Sequence, residues 1–319
     1  MIGNSPAFRE AVRLIERIAQ YDVPVLILGE SGTGKELAAR AIHYQGSRRV
    51  HPFIPVNCGA LPDTLIESEL FGHERGAFTD ARTARVGLIG CANGGTLFLD
   101  EVDCLSQKAQ VTLLRFLQDQ QYRPLGGDRE QHADTRIIAA TNRDLEQLCT
   151  RGQFRLDLYY RLSILDLRLP PLRERPGDPT LLARHFAAKV AARHAMQPKD
   201  IGARTLSWFE CWAWPGNVRE LENLLFRAVL LSDGDVVDIE PPGETTLTDD
   251  LRPDPLQLSF SKAKADTVAR FERLYVEAVL KRANGNVTLA AQLAGKERRA
   301  FGKLLKKHAV DRTPVRPEA

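Results

Sequence analysis

The octapeptide Gly29-Glu30-Ser31-Gly32-Thr33-Gly34-Lys35-Glu36 follows the apolar run Val25-Leu26-Ile27-Leu28 and leads into Glu36–Tyr44, where apolar residues recur at helical spacing. A glycine-rich turn between a strand and a helix lets successive backbone N–H groups converge on phosphate. The helix N-terminus adds positive potential, and Lys35 reaches the β- and γ-phosphates. A strand feeding a helix in this way packs back onto a parallel sheet with a right-handed crossover, which predicts an α/β fold. One position departs from the general pattern. Glu36 stands where Ser or Thr would ligate Mg²⁺.

The rest of the chain supplies a partner for this loop. Gly94-Gly95-Thr96-Leu97-Phe98-Leu99-Asp100-Glu101 is an apolar strand ending in two acids. Asp100 can hold Mg²⁺, directly or through water, and Glu101 can polarise the attacking water of a nucleotide site. The plainer alternative is a strand followed by a solvated acidic turn. Further strands are expected at Phe53–Val56, Thr96–Leu99, Arg136–Ala140 and Ile164–Leu169, with a helix at Ala109–Asp119 between strands. From about Thr180 to Leu231 the strand signal gives way to amphipathic helix patterns.

Other functions are set aside by composition and spacing. No apolar run near the N-terminus approaches the roughly 20 residues of a membrane span, and Met1–Pro6 has neither the basic nor the apolar region of a secretory signal. Cys58, Cys91, Cys104, Cys149 and Cys211 form no Cys-x-x-Cys pair, and an odd count suits a reduced compartment, so a cytoplasmic location is expected. His43, His51, His73, His132, His185, His194 and His308 show no metal-ligand spacing. Trp208, Trp212 and Trp214 read as core packing. Ser31 lacks the Gly-x-Ser-x-Gly setting of a hydrolase nucleophile.

Charge divides the chain. The overall net charge is +3, but residues 259–319 hold 14 Lys and Arg against 6 Asp and Glu. A basic tail on an acidic body suggests a nucleic-acid partner, with a solvated basic helix as the alternative. Between them, residues 233–258 carry Asp233, Asp235, Asp238, Glu240, Glu244, Asp249, Asp250 and Asp254 against Arg252, with four prolines. Low hydrophobicity, like charge and proline predict a linker. The expected organisation is an α/β nucleotide-binding subdomain at 1–170, a small helical subdomain at 171–232, an acidic proline-rich linker at 233–258 and a basic unit suited to DNA binding at 259–319.

The phosphate loop with glutamate after its lysine resembles the Walker A of the bacterial enhancer-binding proteins, the NtrC/NifA-type AAA+ activators of sigma-54 RNA polymerase. Further blocks match in order: Glu69–Ala81, Gly94–Asp103, Ala140–Leu145, Phe154–Leu162, Leu169–Arg175 and Trp214–Leu221. The resemblance runs from Ile2 to about Leu231, which implies that no receiver or sensory domain precedes the ATPase in this chain. It implies nucleotide contacts from Gly29, Glu30, Ser31, Gly32, Thr33, Gly34, Lys35 and Glu36. Thr141 and Asn142 resemble sensor I, and Arg219 resembles sensor II in the lid. Asn57 resembles the switch asparagine that contacts the catalytic glutamate. Arg155 and Arg161 resemble arginine fingers facing a neighbouring subunit. The loop Gly76-Ala77-Phe78-Thr79-Asp80-Ala81 resembles the sigma-54 contact loop, with aspartate where the family has glycine. Without the family, Phe78 would read as tucked into the core.

A second match covers the tail. Asn284–Lys296 resembles a Fis-type helix-turn-helix, with a first helix at Thr288–Leu293, a turn at Gly295 and a second helix over Lys296–His308. Thr288, Lys296, Arg298, Arg299 and Lys303 are the expected DNA contacts; a small helical oligomerisation hairpin is the alternative. A long helix is expected before it, at Ser261–Arg282. The resemblance implies an ATP- and Mg²⁺-dependent ring, a hexamer by analogy, that remodels sigma-54 polymerase while a dimeric tail binds pseudo-palindromic upstream sites. The runner-up is a DNA-binding regulator of the same ancestry that Asp80 has disabled for sigma-54. A clamp loader or helicase leaves the Gly-Ala-Phe-Thr loop unexplained.

Overall fold

The computed structural model describes residues 1–60, 62–78, 81–232 and 234–241, and in the tail 272–273, 275–276, 279–280, 282–283 and 286–308. The chain divides into two compact units, Met1–Pro242 and Gly243–Ala319. The first unit opens with α1 (Pro6–Ile18), β1 (Val25–Leu28), α2 (Lys35–Gln45), β2 (Phe53–Asn57) and α3 (Asp63–Phe71). The short strands β3 (Gly72–His73) and β4 (Arg85–Val86), helix α4 (Leu88–Cys91), β5 (Thr96–Asp100) and α5 (Gln107–Asp119) follow. A hairpin of β6 (Gln121–Tyr122) and β7 (Gln131–His132) precedes β8 (Arg136–Thr141), α6 (Leu145–Thr150), α7 (Leu156–Leu162) and β9 (Leu165–Arg168).

Five strands form one parallel sheet in the order β2-β5-β8-β1-β9. Because successive side chains point to opposite faces, the strands divide their apolar residues between two cores. Leu26, Leu97, Leu99, Ile137 and Ala139 pack on one side with α5 and α7 residues such as Leu113, Phe116 and Leu158. Val25, Ile27, Phe98, Ile138 and Ala140 pack on the other with Ala11, Ile15, Ala38 and Ile42 of α1 and α2. All six residues of β8 are buried, as expected of a central strand covered on both faces. The register pairs Asn57 with Asp100 and Leu28 with Thr141, so the carboxyl ends of β1, β2, β5 and β8 lie side by side. In open parallel sheets ligands bind at that edge.

The lid begins after Pro170-Pro171 with a 3₁₀ turn, Leu172–Glu174. It continues through α8 (Asp178–Arg193), β10 (Asp200–Ile201), α9 (Ala203–Cys211), α10 (Asn217–Leu231) and β11 (Val236–Val237). Two features correct the sequence reading. β10, within the region expected to be helical, pairs in parallel with β11, within the expected linker. Residues 234–239, expected to open the linker, pack onto the lid: Val237 is buried, Ile239 N–H donates to Thr205 Oγ1 (2.8 Å) and Trp208 Nε1–H donates to the Ile239 carbonyl (2.7 Å). Apolar residues at 237 and 239 alternate with Asp238, a strand pattern that the surrounding acids mask. Positions 242–258 of that expected linker lie outside the described residues. Trp214 is buried and stacks on Trp208, as expected for core packing.

The first residues of the chain are fastened to the lid. Asp178 accepts from the backbone N–H groups of Asn4 (2.5 Å) and Ser5 (3.1 Å) and from Ser5 Oγ (2.9 Å). Arg175 donates to Asp178 (2.8 Å) and to the Ile2 carbonyl (3.0 Å), and its guanidinium lies 4.0 Å from the centroid of the Phe8 ring. Among the described residues no helix is long and apolar enough to cross a membrane.

In the second unit, helices Val287–Leu293 and Arg298–Lys307 flank Gly295, whose φ is +60°. Asn286 caps the first by accepting from Thr288 N–H (3.0 Å) and Leu289 N–H (3.2 Å). Val276, Leu280, Ala283, Ala290, Ala291, Phe301 and Leu305 form its core. Most of the helix expected at Ser261–Arg282 lies outside the described residues.

Candidate nucleotide site

The loop after β1 turns through Gly32 (φ +79°) and Gly34 (φ +97°), the second of which caps α2. A side chain at Gly32 would collide with the Gly216 carbonyl, so only glycine satisfies both the backbone and the lid. Gly29 N–H donates to the Thr141 carbonyl (3.3 Å), tying the loop to β8. Thr33 is buried, and its Oγ1–H donates to the Glu30 carbonyl (2.8 Å). The Lys35 ammonium donates to the carbonyls of Gly29 (2.9 Å) and Glu30 (3.2 Å). Burial pushes the Lys35 pKa down; Asp100 opposes the shift, Arg219 adds to it, and Glu101 and Asp103 oppose it. Glu36 is held by Arg40 one turn along α2 (2.8 Å).

The acids lie where the register places them. Asp100 ends β5, and its Oδ1 accepts from Glu101 N–H (3.0 Å). Glu101 has φ +55°, a left-handed conformation that a non-glycine residue adopts at a cost and that often marks a functional turn. Its carboxylate lies over Gly59, where an added Cβ would meet Glu101 Oε2 and come within 3.4 Å of Asn57 Oδ1. Asn57 Oδ1 accepts from Ala60 N–H (3.0 Å). Thr141 is fully buried, and Asn142 beside it is exposed.

A third acid was not anticipated. The Asp103 side chain is 2% exposed, accepts from Thr141 Oγ1 (2.5 Å) and pairs with Arg143 Nε (3.3 Å). It thereby fixes the hydroxyl expected to act as sensor I. The lid contributes more than Arg219, whose Nη1 donates to Ser31 Oγ (3.0 Å). Arg173 binds the Glu30 carboxylate through two bonds (2.8 and 2.6 Å), and Asn217 Nδ2 adds a third (3.1 Å). The Arg173 and Asn217 hydrogen bonds outweigh desolvation and hold the Glu30 pKa down at about 2. Thus Glu30 serves the lid with its side chain. The signals for these partners were a third acid after Asp100-Glu101, and an asparagine in Trp-Pro-Gly-Asn, where a turn can require positive φ.

Arg155 and Arg161 are not brought to this loop. Arg155 pairs with Asp157 (2.6 Å), and Arg161 donates to the Leu117 carbonyl at the end of α5 (3.1 Å). The surface loop is closed at its base: Gly76 N–H donates to the Ala81 carbonyl (2.8 Å), and Ala81 N–H to the Phe78 carbonyl (3.0 Å). Ala77 packs beside Gly126 of the β6–β7 hairpin. Phe78 is 37% exposed and rests edge-on against His73, so it is not a core residue. Thr79 and Asp80 lie outside the described residues. In the tail, Thr288, Lys296, Arg298, Arg299 and Lys303 are all exposed.

The donor set fits a nucleoside triphosphate. Left-handed glycines open the loop, the Lys35 ammonium rests on backbone carbonyls, and Asp100 and Glu101 stand within electrostatic reach of it. No cluster of three or more metal-ligating side chains exists among the described residues, and Glu36 is engaged by Arg40, so a Mg²⁺ ion would rely on Asp100 and phosphate oxygens.

Comparison with known proteins agrees with this geometry. Residues 1–168 match the family described as the sigma-54 interaction domain, and residues 173–250 match an AAA+ ATPase lid domain. The chain is 42% identical over 326 residues to the regulatory protein AtoC of Escherichia coli K12, covering 99% of this chain and 69% of that protein. It is 43% identical over 316 residues to the transcriptional regulatory protein GlrR of the same organism, covering 98% and 68%. The crystal structure of NtrX from Brucella abortus in complex with ATP is similar at a TM-score of 0.71 and 33% identity, covering 97% of this chain and 70% of that one.

Proposed function

The chain belongs to the sigma-54 interaction family of AAA+ ATPases, and from that premise we propose that it hydrolyses ATP at the subunit interfaces of a ring, a hexamer by analogy. It spends the resulting motion on sigma-54 RNA polymerase at a promoter, and its tail holds it on upstream DNA. The observation that carries this reading is the alignment of Lys35, Asp100, Glu101 and Thr141 along one edge of the sheet, while Arg155 and Arg161 are engaged elsewhere.

The residues divide the work. Lys35 exchanges its two backbone carbonyls for β- and γ-phosphate oxygens. Glu101 polarises a water molecule for in-line attack on the γ-phosphorus, the bond to the β–γ bridging oxygen breaks, and ADP and phosphate leave. Asn57, beside the Glu101 carboxylate across Gly59, sets its orientation. Asp100 would hold Mg²⁺, which would supply neutralisation of phosphate charge. Arg219 follows the phosphates from the lid. Arg155 and Arg161 complete the γ-phosphate site of a neighbouring copy, where guanidinium donors suit charge spread over several oxygens.

The loop Gly76–Ala81 presents Phe78 to sigma-54. In the tail, Asn286 starts a first helix, Gly295 turns the chain and Arg298–Lys307 forms a second helix. The exposed residues Lys296, Arg298 and Arg299 lead this second helix into the major groove, while Thr288 and Lys303 meet the DNA backbone. This is a Fis-type helix-turn-helix, which would pair to read pseudo-palindromic sites. The deciding experiment is transcription in vitro from a sigma-54 promoter bearing the chain's DNA site, with ATP and with a non-hydrolysable analogue. ATP-dependent open complexes are expected. Site-specific DNA binding and ATP hydrolysis without open complexes would instead favour a regulator disabled at Asp80.

A further inference from the structure

The phosphate loop is held by the lid through its carbonyls. Asn217 is fully buried; its Nδ2 donates to the Ser31 carbonyl (3.0 Å) and to Glu30 Oε2 (3.1 Å). Its Oδ1 accepts from Leu172 N–H (2.8 Å) in the turn that opens the lid. Val218 N–H, next along α10, donates to the Gly32 carbonyl (3.1 Å). Arg173, one residue after Leu172, grips the Glu30 carboxylate with two bonds.

In a trans peptide the C=O and N–H groups point in opposite directions. Binding the Ser31 and Gly32 carbonyls to the lid therefore turns the N–H groups of Gly32 and Thr33 away from the lid contact. These are N–H groups that a phosphate loop must aim at an anion. Thr33 N–H is only loosely engaged, by the Glu30 carbonyl at 3.4 Å, a bond that a phosphate oxygen can replace.

We infer that Asn217, supported by Arg173 and Glu30, is a positioning residue that aims the phosphate-binding N–H groups from the lid without touching the nucleotide. The inference rests on Gly29–Glu36 being the ATP phosphate site. Two properties make asparagine suited to position 217. Its φ of +51° lies in the left-handed region that asparagine adopts more readily than most side chains. Its amide also offers an acceptor at one end and a donor at the other, and the two ends serve the hinge and the loop. Aspartate would keep the acceptor for Leu172 but turn an oxygen toward the Glu30 carboxylate. Glycine would keep the backbone conformation and lose all three bonds.

The test is the affinity of the full chain for ATP, by calorimetric titration, together with KM and kcat and the thermal midpoint without nucleotide. Variants Asn217→Gly, Asn217→Asp, Arg173→Ala and Lys35→Ala are compared with the parent. Asn217→Gly and Asn217→Asp are expected to weaken ATP binding about tenfold and to raise KM by more than they lower kcat. Arg173→Ala is expected to weaken it about threefold. ATP affinities within twofold of the parent for the Asn217 variants, with binding lost in Lys35→Ala, would overturn the inference. Parental ATP binding by Lys35→Ala would instead remove the phosphate-site reading on which it rests. If the Asn217 variants melt early, Arg173→Ala decides, because its side chain is 42% exposed and its removal leaves the core intact; an unchanged affinity there refutes the inference.

Discussion

Replacing Arg175 with methionine is expected to loosen the lid and the start of the chain together. Arg175 and Asp178 are 3% and 0% exposed at their side chains, so removing the guanidinium leaves a carboxylate buried without its counter-charge. Breaking such a pair costs about 3–5 kcal/mol. Here Asp178 retains the donors of Asn4 and Ser5, which places this part near the lower bound. The lost contact with the Phe8 ring adds about 1–2 kcal/mol for a desolvated cation. The Ile2 carbonyl also loses a donor, worth about 1 kcal/mol. Together these give about 5 kcal/mol. Asp178→Asn keeps the shape but turns an amide toward groups that are themselves donors, and should cost about 3 kcal/mol. The two changes act on one unit, so the double variant should fall about 2 kcal/mol short of the sum.

Urea unfolding followed by tryptophan fluorescence measures this directly, because all three tryptophans, Trp208, Trp212 and Trp214, lie in the lid. A loss below about 1 kcal/mol for Arg175→Met, or strict additivity in the double variant, would refute the reasoning. The pH dependence carries a sign of its own. Burial alone would raise the Asp178 pKa, but Asn4 N–H, Arg175 and Ser5 outweigh it and hold the carboxyl below its ordinary value of 3.8. A carboxyl depressed in the folded state contributes stability that is complete above the unfolded value and is lost as pH falls through the folded one. The contribution should therefore be constant from neutrality down to pH 3.8 and disappear below it, and Asp178→Asn should flatten that dependence.

Glu101→Gln should bind ATP·Mg²⁺ and hardly turn it over; turnover at the parental rate would misplace the water-activating residue. Arg155→Ala should lower hydrolysis by roughly 10³-fold or more with an unchanged melting midpoint. Mixing it with Lys35→Ala subunits should restore part of the activity, since an intact arginine can then face an intact loop. Phe78→Ala should keep ATPase activity and assembly but lose sigma-54 binding in the presence of a transition-state nucleotide analogue, and retained binding would remove the loop assignment. Arg298→Ala or Arg299→Ala should weaken specific DNA binding by roughly 1–3 kcal/mol if the side chain reads a base; specific binding that survives deletion of 259–319 would show that the reader lies elsewhere.

The centre of the sheet was legible because β1, β5 and β8 are covered on both faces. Val25–Leu28 and Arg136–Thr141 carry near-continuous apolar runs, and the structure moves their expected ends by no more than one residue. β11 was not legible, since two valines among acids resemble a linker until they are paired with Asp200 and Ile201. The loop and its acids could be read because each sits where a strand ends. The side chains that hold them could not. Glu30 meets Arg173 across 143 positions and Asn217 across 187, separations at which local signals can mark a residue but not its partner. Asp103 drew no separate reading in the sequence, and its contacts with Thr141 and Arg143 come from the turn after β5 meeting the end of β8.

The Asn217 amide also makes the pair between positions 30 and 173 irreversible. Leu172 N–H fixes its oxygen end and the Ser31 carbonyl fixes its nitrogen end, so the group cannot rotate to suit a new neighbour. Whatever occupies position 30 must accept a hydrogen bond from that nitrogen. A library that randomises positions 30 and 173 together should therefore return acid at the first and base at the second, and should reject the exchanged order although its charges sum identically. Positions 30, 173 and 217 thus form one handed unit, although they lie far apart along the chain.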